Sequence, residues 1–202
     1  MEEVRATARP GQVDRAVKAF ERAVGLLGRG RDAAAAEAAE EAKRLAPRSG
    51  AVREVLGIAL YGAERYRDAL RELQAYRRVT GRLDQNHLIA DSQRALGAPE
   101  KAIEAAREAL KATISDSARA EAAIVGASAL ADLGRFAEAL GMLRGFPMRD
   151  KVSRPADLRL WYVTGDILER AGRPAEAREE FRRVVRHDPA AFDAAERLAK
   201  LS

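Results

Sequence analysis

The feature that most constrains how this chain folds is a pattern that recurs five times along it. Each occurrence is a short turn between two amphipathic segments with helical periodicity, such as VREVLGIALYG before one turn and FAEALGMLRGF after another. The turns are centred on Gly30, Glu64, Gly97, Gly134 and Gly172, at separations of 34, 33, 37 and 38 residues. Because such short turns join helices that lie side by side, the pattern predicts a repeated helix–turn–helix unit.

Pairs of small residues accompany the turns, one in the segment before the turn and one twelve positions later. The pairs are Ala23 and Ala35, Gly57 and Ala69, Ala90 and Ala102, Ala127 and Ala139, and Gly165 and Ala177. A small side chain at a helix crossing lets the two backbones approach closely. Alanine and glycine supply 44 and 15 of the 202 residues, so composition alone does not fill all ten positions with small side chains.

These turns and small-residue pairs resemble the tetratricopeptide repeat (TPR), and the resemblance covers nearly the whole chain. It implies an all-α, right-handed α-solenoid of about five TPR-like helix–turn–helix repeats with a C-terminal capping helix. The predicted division is an N-terminal tail at 1–15, repeats at 16–49, 50–82, 83–119, 120–157 and 158–189, and the capping helix at 190–202. In the capping helix, Phe192, Ala195 and Leu198 are expected to pack on the last repeat and Arg197 to face solvent.

Composition limits the chemistry of such a chain. It has no cysteine and two histidines, which argues against a disulfide framework, a thiol nucleophile and a Cys- or His-built metal site. Walker-type, GxSxG and HExxH signatures are missing from the sequence. The N-terminus is acidic, and no apolar run is long enough to span a membrane, so we predict a cytoplasmic protein. We therefore predict a protein that is not an enzyme and needs no cofactor or metal.

The resemblance implies that the first helices of the repeats line a concave groove that binds a peptide or helix of a partner protein. The candidate groove residues are Phe20, Val24, Leu27, Glu54, Ile58, Tyr61, Asp84, His87, Asp91, Arg94, Glu121, Ile124, Ser128, Asp132, Arg159, Tyr162, Asp166 and Arg170. The first three are apolar, which is typical of an interface, and the middle of the wall is acidic, which favours a basic partner segment. Two simpler interpretations stay open: the acidic residues only solvate a helix face, and the apolar three pack on the N-terminal tail.

Both histidines have an ordinary structural interpretation. Asp84, His87 and Asp91 are spaced i, i+3 and i+7, which places them on one helix face. A surface helix face is favoured over a metal or acid–base site, because no third strong ligand accompanies them. His187 lies in the last turn of a predicted helix, where a cation suits the helix dipole, and Trp161 is predicted to belong to the core.

Two other functions stay open. The chain has 36 basic and 31 acidic residues, so a nucleic-acid-associated regulator with an Arg-rich surface is a less favoured alternative, as acids are interleaved with the arginines. The other alternative is a self-assembling, homo-oligomeric TPR module that buries its apolar strip or terminal helix against a second copy. The longest connector, at 146–158, carries Arg149, Lys151 and Arg154 and is interpreted as solvated rather than as a basic contact loop.

Overall fold

The structure, a computed structural model, describes residues 1–146 and 156–201. These residues form α-helices and no strand. The helices are α1 (Glu2–Thr7), α2 (Val13–Leu27), α3 (Asp32–Leu45), α4 (Gly50–Gly62), α5 (Tyr66–Thr80), α6 (Asn86–Ala95), α7 (Pro99–Lys111), α8 (Asp116–Asp132), α9 (Phe136–Leu143), α10 (Asp157–Arg170), α11 (Pro174–His187) and α12 (Ala194–Lys200). The prediction of an all-α protein is confirmed.

Along the chain, helices α2 to α11 alternate as the first and second helices of the five predicted repeats. The first helices are α2, α4, α6, α8 and α10, and the second helices are α3, α5, α7, α9 and α11. The chain divides into two compact units, unit 1 at Met1–Gly97 and unit 2 at Ala98–Ser202. Unit 1 contains α1 to α6, and unit 2 contains α7 to α12.

The backbone confirms the predicted turns. All five turn centres have a left-handed conformation, from φ 59° at Glu64 to φ 75° at Gly97. The turn closes when the following amide donates to a carbonyl five residues back, as Arg31 N does to Leu26 O over 3.0 Å. Glycine adopts this conformation without a Cβ penalty, so Glu64 occupies a turn whose four equivalents hold glycine.

The ten small residues predicted at helix crossings are all buried. At two of these positions an added Cβ atom would force a neighbouring side chain to shift. A Cβ atom on Gly57 would lie 2.6 Å from Leu73 Cδ2, and one on Gly165 would lie 2.9 Å from Phe181 Cε1. In these two repeats a large side chain of the second helix fills the space that the glycine leaves.

The prediction of an N-terminal tail at 1–15 needs correction, because α1 packs against α2 and α4. Val4 is fully buried in a cluster that includes Val17, Phe20 and Val52. The Glu3 carboxylate accepts hydrogen bonds from Ser49 Oγ and from the backbone amides of residues 50 and 51. α1 thus contacts the rest of unit 1 through a buried apolar side chain and through an acid that binds the N-terminal amides of α4.

The capping helix exists, but its buried face differs from the prediction. It begins at Ala194, after Phe192 in a left-handed turn with φ 56°, and this later start rotates the helix. Ala194 is fully buried and Ala195 is exposed. Phe192 is 52% exposed, but its ring stacks on that of Tyr162 on α10, with the centroids 4.4 Å apart, so it packs on the last repeat as predicted. Arg197, expected in solvent, has a side chain that is only 16% exposed, and Leu198 is half-buried.

Trp161 is buried as predicted, with its ring centroid 5.0 Å from that of His187. Arg149, Lys151 and Arg154 of the predicted connector lie outside the described residues.

Candidate functional site

Four of the predicted groove residues form an accessible apolar patch on α2 and α4 of unit 1. Val24 is 44% exposed, and Leu27 is half-buried one helical turn further on. Ile58 and Tyr61, which follow at the equivalent positions of the next repeat, are also half-buried. Leu27 and Tyr61 rest on the buried cluster between the helices. We call the accessible side chains of α2, α4 and α6 the first-helix face of unit 1.

Two predicted groove residues are not accessible. Phe20 is 8% exposed, because α1 covers it and places Val4 in the same cluster. Ile124 is 2% exposed within α8, a helix that is buried around most of its circumference. The interpretation that Phe20 packs on the N-terminal segment is thus the right one, whereas it does not hold for Val24.

The polar residues predicted on the same face are bound to one another across neighbouring repeats of unit 1. The Tyr61 hydroxyl donates to Asp91 Oδ2, and Arg94 lies 3.3 Å from the other oxygen of Asp91. The side chain of Gln85 donates to Glu54 Oε1 over 2.8 Å. The acidic groups expected to receive a basic partner therefore already have partners within the chain.

Asp84, His87 and Asp91 do not share one helix face, because α6 begins at Asn86 and Asp84 precedes it. Asp84 accepts a hydrogen bond from Tyr76 over 2.9 Å, and its backbone carbonyl lies 3.0 Å from His87 Nδ1. Burial and this bond raise the pKa of the Tyr76 hydroxyl. Among the residues that the structure describes, no group of three or more His, Cys, Asp or Glu side chains is placed to hold a metal ion.

In unit 2 the predicted groove positions form ion pairs between residues that are 38 positions apart, which is the local repeat spacing. Arg159 pairs with Glu121, and Arg170 pairs with Asp132 over 3.3 Å. Arg170 also donates to the backbone carbonyl of Ala131 over 2.8 Å. These side chains therefore connect α8 to α10.

Arg197 of α12 joins the same face of unit 2, and the sequence analysis missed it. Its guanidinium lies 2.7 Å from Glu169, 2.9 Å from Asp166 and 4.5 Å from the Phe181 ring centroid. Burial acts to lower the pKa of Arg197, but hydrogen bonds to Glu169, Tyr162 and Asp166 outweigh it, so the pKa is raised. Tyr162 in turn donates to Asp193 over 2.8 Å. The periodicity of apolar residues does not identify a charged side chain that packs in the structure, which is why Arg197 was not predicted.

The sequence analysis also missed Glu72, a buried acid on α5. Its carboxylate lies 3.0 Å from Lys43 Nζ on α3 and 2.8 Å from the Arg53 guanidinium on α4. Burial acts to raise the pKa of Glu72, but the Lys43 hydrogen bond and the neighbouring cations outweigh it, so the pKa is lowered. Glu72 on α5 thus links the first two repeats through Lys43 on α3 and also binds Arg53 on α4 of its own repeat.

Within the described ranges, 1–146 and 156–201, no helix has the length and apolar character that crossing a membrane requires.

Comparison with known proteins supports the fold. A family model described as tetratricopeptide repeat matches residues 158–201, and no curated protein matches the chain. YrrB, "a TPR protein with an unusual peptide-binding site", is 19% identical with a TM-score of 0.62 over 92% of this chain and 91% of YrrB. TTC0263, a TPR protein from Thermus thermophilus, is 17% identical with a TM-score of 0.69 over 92% of this chain and 98% of TTC0263. The apo quorum sensor NprR from B. thuringiensis is 13% identical with a TM-score of 0.72 over 99% of this chain and 60% of NprR.

Proposed function

We propose that this chain, whose fold is similar to that of tetratricopeptide-repeat proteins, is a non-catalytic scaffold that binds a peptide segment or helix of a partner protein. The binding surface in this proposal is the first-helix face of unit 1. The observation that carries the proposal is the accessible apolar patch formed by Val24, Leu27, Ile58 and Tyr61 on α2 and α4. An apolar patch that the chain itself leaves open is typical of an interaction site.

The surroundings of the patch support the proposal. Protein interfaces combine an apolar centre with a polar rim. Here α6 carries His87, Asp91 and Arg94 at the equivalent helix positions, all of them half-buried. Tyr61 belongs to both regions, because its ring packs on the core and its hydroxyl binds Asp91. A surface held in this way is preformed, which reduces the ordering cost of binding.

The contacts also change the expected chemistry of the partner. Asp84 and Asp91 are bound to Tyr76 and Tyr61, so a basic segment would have to compete with these bonds. A partner segment that contacts the patch through apolar side chains would leave these hydrogen bonds intact. The partner segment that fits best therefore presents two apolar side chains, for Val24 and Ile58, with polar groups toward α6. YrrB, which is described as having a peptide-binding site, is consistent with a peptide segment as a ligand of this fold.

The experiment is a selection of peptides from a displayed random library, followed by titration of the tightest peptide against purified variants. V24E and I58E are each expected to weaken binding at least tenfold, because a charge replaces an apolar contact. V79E is the matched control, since Val79 is 53% exposed but lies on the second helix α5. Wild-type affinity in both V24E and I58E would contradict the proposal, provided that all variants keep the helical circular dichroism of the wild type.

The nucleic-acid alternative gains little support from the arrangement of the arginines. Three second helices are preceded by an arginine at the N-cap position that pairs with an acid three residues later: Arg65 with Asp68, Arg135 with Glu138 and Arg173 with Glu176, at 2.6 to 2.7 Å. Such pairs neutralise the arginines locally.

The self-assembly alternative is tested by measuring the mass of the protein in solution at several concentrations. If the mass rises with concentration in wild type but not in V24E, the apolar patch binds a second copy of the chain instead of a partner protein.

A further inference from the structure

A pocket of about 190 Å³ lies in unit 2 between α9, α10 and α11. Leu140 and Leu143 of α9 and Leu168 of α10 supply its apolar wall. Thr164 also lines it, and its hydroxyl donates to the Leu160 carbonyl of its own helix over 2.7 Å. A cavity of roughly 150 Å³ can hold a benzene molecule, so this pocket has room for a group of about six heavy atoms.

One polar side chain gives the pocket its chemistry. Glu180 of α11 lines it, and its side chain is only 15% exposed. Its cationic neighbour Arg183 lies one turn further along the same helix, 3.4 Å from each carboxylate oxygen, which is long for a charged hydrogen bond. Burial raises the pKa of Glu180, and Arg183 offsets only part of this effect. A buried carboxylate whose negative charge is only weakly compensated is stabilised by a cation that enters the pocket.

The other charged groups at the pocket do not supply that cation. Arg173 and Glu176 hold each other in a two-bond pair of 2.7 and 2.6 Å. Arg144 extends from the end of α9 and is exposed. Glu180 is therefore the acceptor that the pocket offers to a ligand.

We propose that this pocket binds a primary alkylammonium group, with the ammonium on the Glu180 carboxylate and the alkyl chain against Leu140, Leu143 and Leu168. A guanidinium fits less well, because its five N–H donors need more acceptors than one carboxylate provides. The group can come from a free amine or from a lysine side chain of a partner protein. The pocket belongs to unit 2, so this proposal does not depend on the first-helix face of unit 1.

The test is a titration of the full chain, with ¹³C-labelled leucine methyl groups, followed by NMR. The ligands are n-pentylammonium chloride, the neutral 1-pentanol, and acetyl-lysine-methylamide beside acetyl-norleucine-methylamide. For a ligand of this size we expect a Kd on the order of 1 mM. The methyl resonances of Leu140, Leu143 and Leu168 are expected to shift with the amines, and both neutral compounds are expected to bind at least tenfold more weakly.

Two variants make the test specific. E180Q keeps the shape of the side chain and is expected to weaken pentylammonium binding at least tenfold. E179Q removes the charge of its exposed neighbour and is expected to stay within twofold of wild type. Tighter binding of the lysine derivative assigns the site to a partner's lysine, and tighter binding of pentylammonium assigns it to a free amine. Any of three results would overturn the proposal. These are equal binding of pentylammonium by E180Q and wild type, binding of 1-pentanol as tight as that of pentylammonium, and the absence of a shift at the three leucine methyl groups.

Discussion

Units 1 and 2 use equivalent positions of their first helices in opposite ways. In unit 1 these positions hold Val24 and Ile58, which remain accessible. In unit 2 they hold Ser128, whose hydroxyl donates to the backbone of its own helix, and Asp166, which pairs with Arg197. Unit 1 therefore presents apolar surface at two of these positions, with Asp91 bound to Tyr61 at the third, whereas unit 2 has polar side chains at both.

The difference shows how a repeat protein can divide cohesion and binding between its repeats. Neighbouring repeats must be held together wherever the binding surface lies. Unit 2 holds them through pairs on the first helices, such as Arg159 with Glu121. In unit 1, an ion cluster around Glu72 connects the second helices α3 and α5 and also reaches Arg53 on the first helix α4. The first-helix face of unit 1 is thereby left available for a partner.

The largest effect is expected from removing the network that occupies the face of unit 2. R197M keeps the aliphatic stem of Arg197 but removes the cation that pairs with Glu169 and leaves Asp166 only its 3.4 Å pair with Arg170, which should lower the free energy of unfolding by about 3 kcal/mol. Urea unfolding followed by the fluorescence of Trp161 reports this in unit 2. K200M, on the same helix but 69% exposed, should change the free energy by less than about 0.5 kcal/mol. Equal effects of the two variants would mean that the network is not structural.

In unit 1, E72Q should lower the free energy of unfolding by about 2 kcal/mol at pH 7, because Lys43 and Arg53 lose the buried anion with which they pair. The pKa of Glu72 is lowered on folding, so its contribution is present above its unfolded pKa and is lost as pH falls through the folded value. The difference in the free energy of unfolding between wild type and E72Q should therefore begin to narrow below about pH 4.5. Urea unfolding at several pH values measures it, and a gap that widens in acid would contradict the account.

Glu180 in unit 2 should show the opposite dependence on pH. Its pKa is raised on folding, so its favourable contribution is complete below the unfolded pKa and is lost as pH rises through the folded value. At pH 7, E180Q should be more stable than wild type by up to about 1 kcal/mol, and the difference should vanish near pH 4. Trp161 fluorescence again gives the unfolding curve. A loss of stability in E180Q at pH 7 would show that the ionised carboxylate is well compensated.

The smallest effect concerns the turns, which the two units build alike except at Glu64. E64G should stabilise the chain by about 1 kcal/mol, because glycine adopts φ 59° without strain. E64A retains the Cβ atom and should give less than half of that gain. Thermal unfolding by circular dichroism distinguishes them, and an equal gain in both variants would assign the effect to the lost charge.

The sequence predicted the features that the backbone enforces locally. The turns at Gly30 and Gly172 could be predicted because a left-handed conformation favours glycine. The small residue Gly57 could be predicted because Leu73 packs directly on it. Such signals recur in every repeat, so their spacing identifies them without knowledge of the tertiary contacts.

The accessible face was less predictable because it depends on where each helix starts. A shift of one residue rotates a helix by about 100°. Asp84 does not lie on the predicted face of α6, because the helix begins at Asn86. Ala195 does not lie on the buried face of α12, because that helix begins at Ala194, later than predicted. Phe20 was misplaced for another reason, since only the tertiary fold shows that α1 covers it. Arg197 and Glu72 were missed because their burial depends on ion partners distant in sequence.

The most direct test of the central claim is to map the selected peptide onto the chain by NMR of labelled Val, Leu and Ile methyl groups. The account predicts the largest shifts at Val24, Leu27 and Ile58, and small shifts at methyl groups on the first helices of unit 2, such as Val163. V24E should abolish the shifts in unit 1, and V79E should leave them unchanged. Shifts confined to unit 2, or to Val79 on the second helix α5, would contradict the claim that the accessible face of unit 1 is the binding surface.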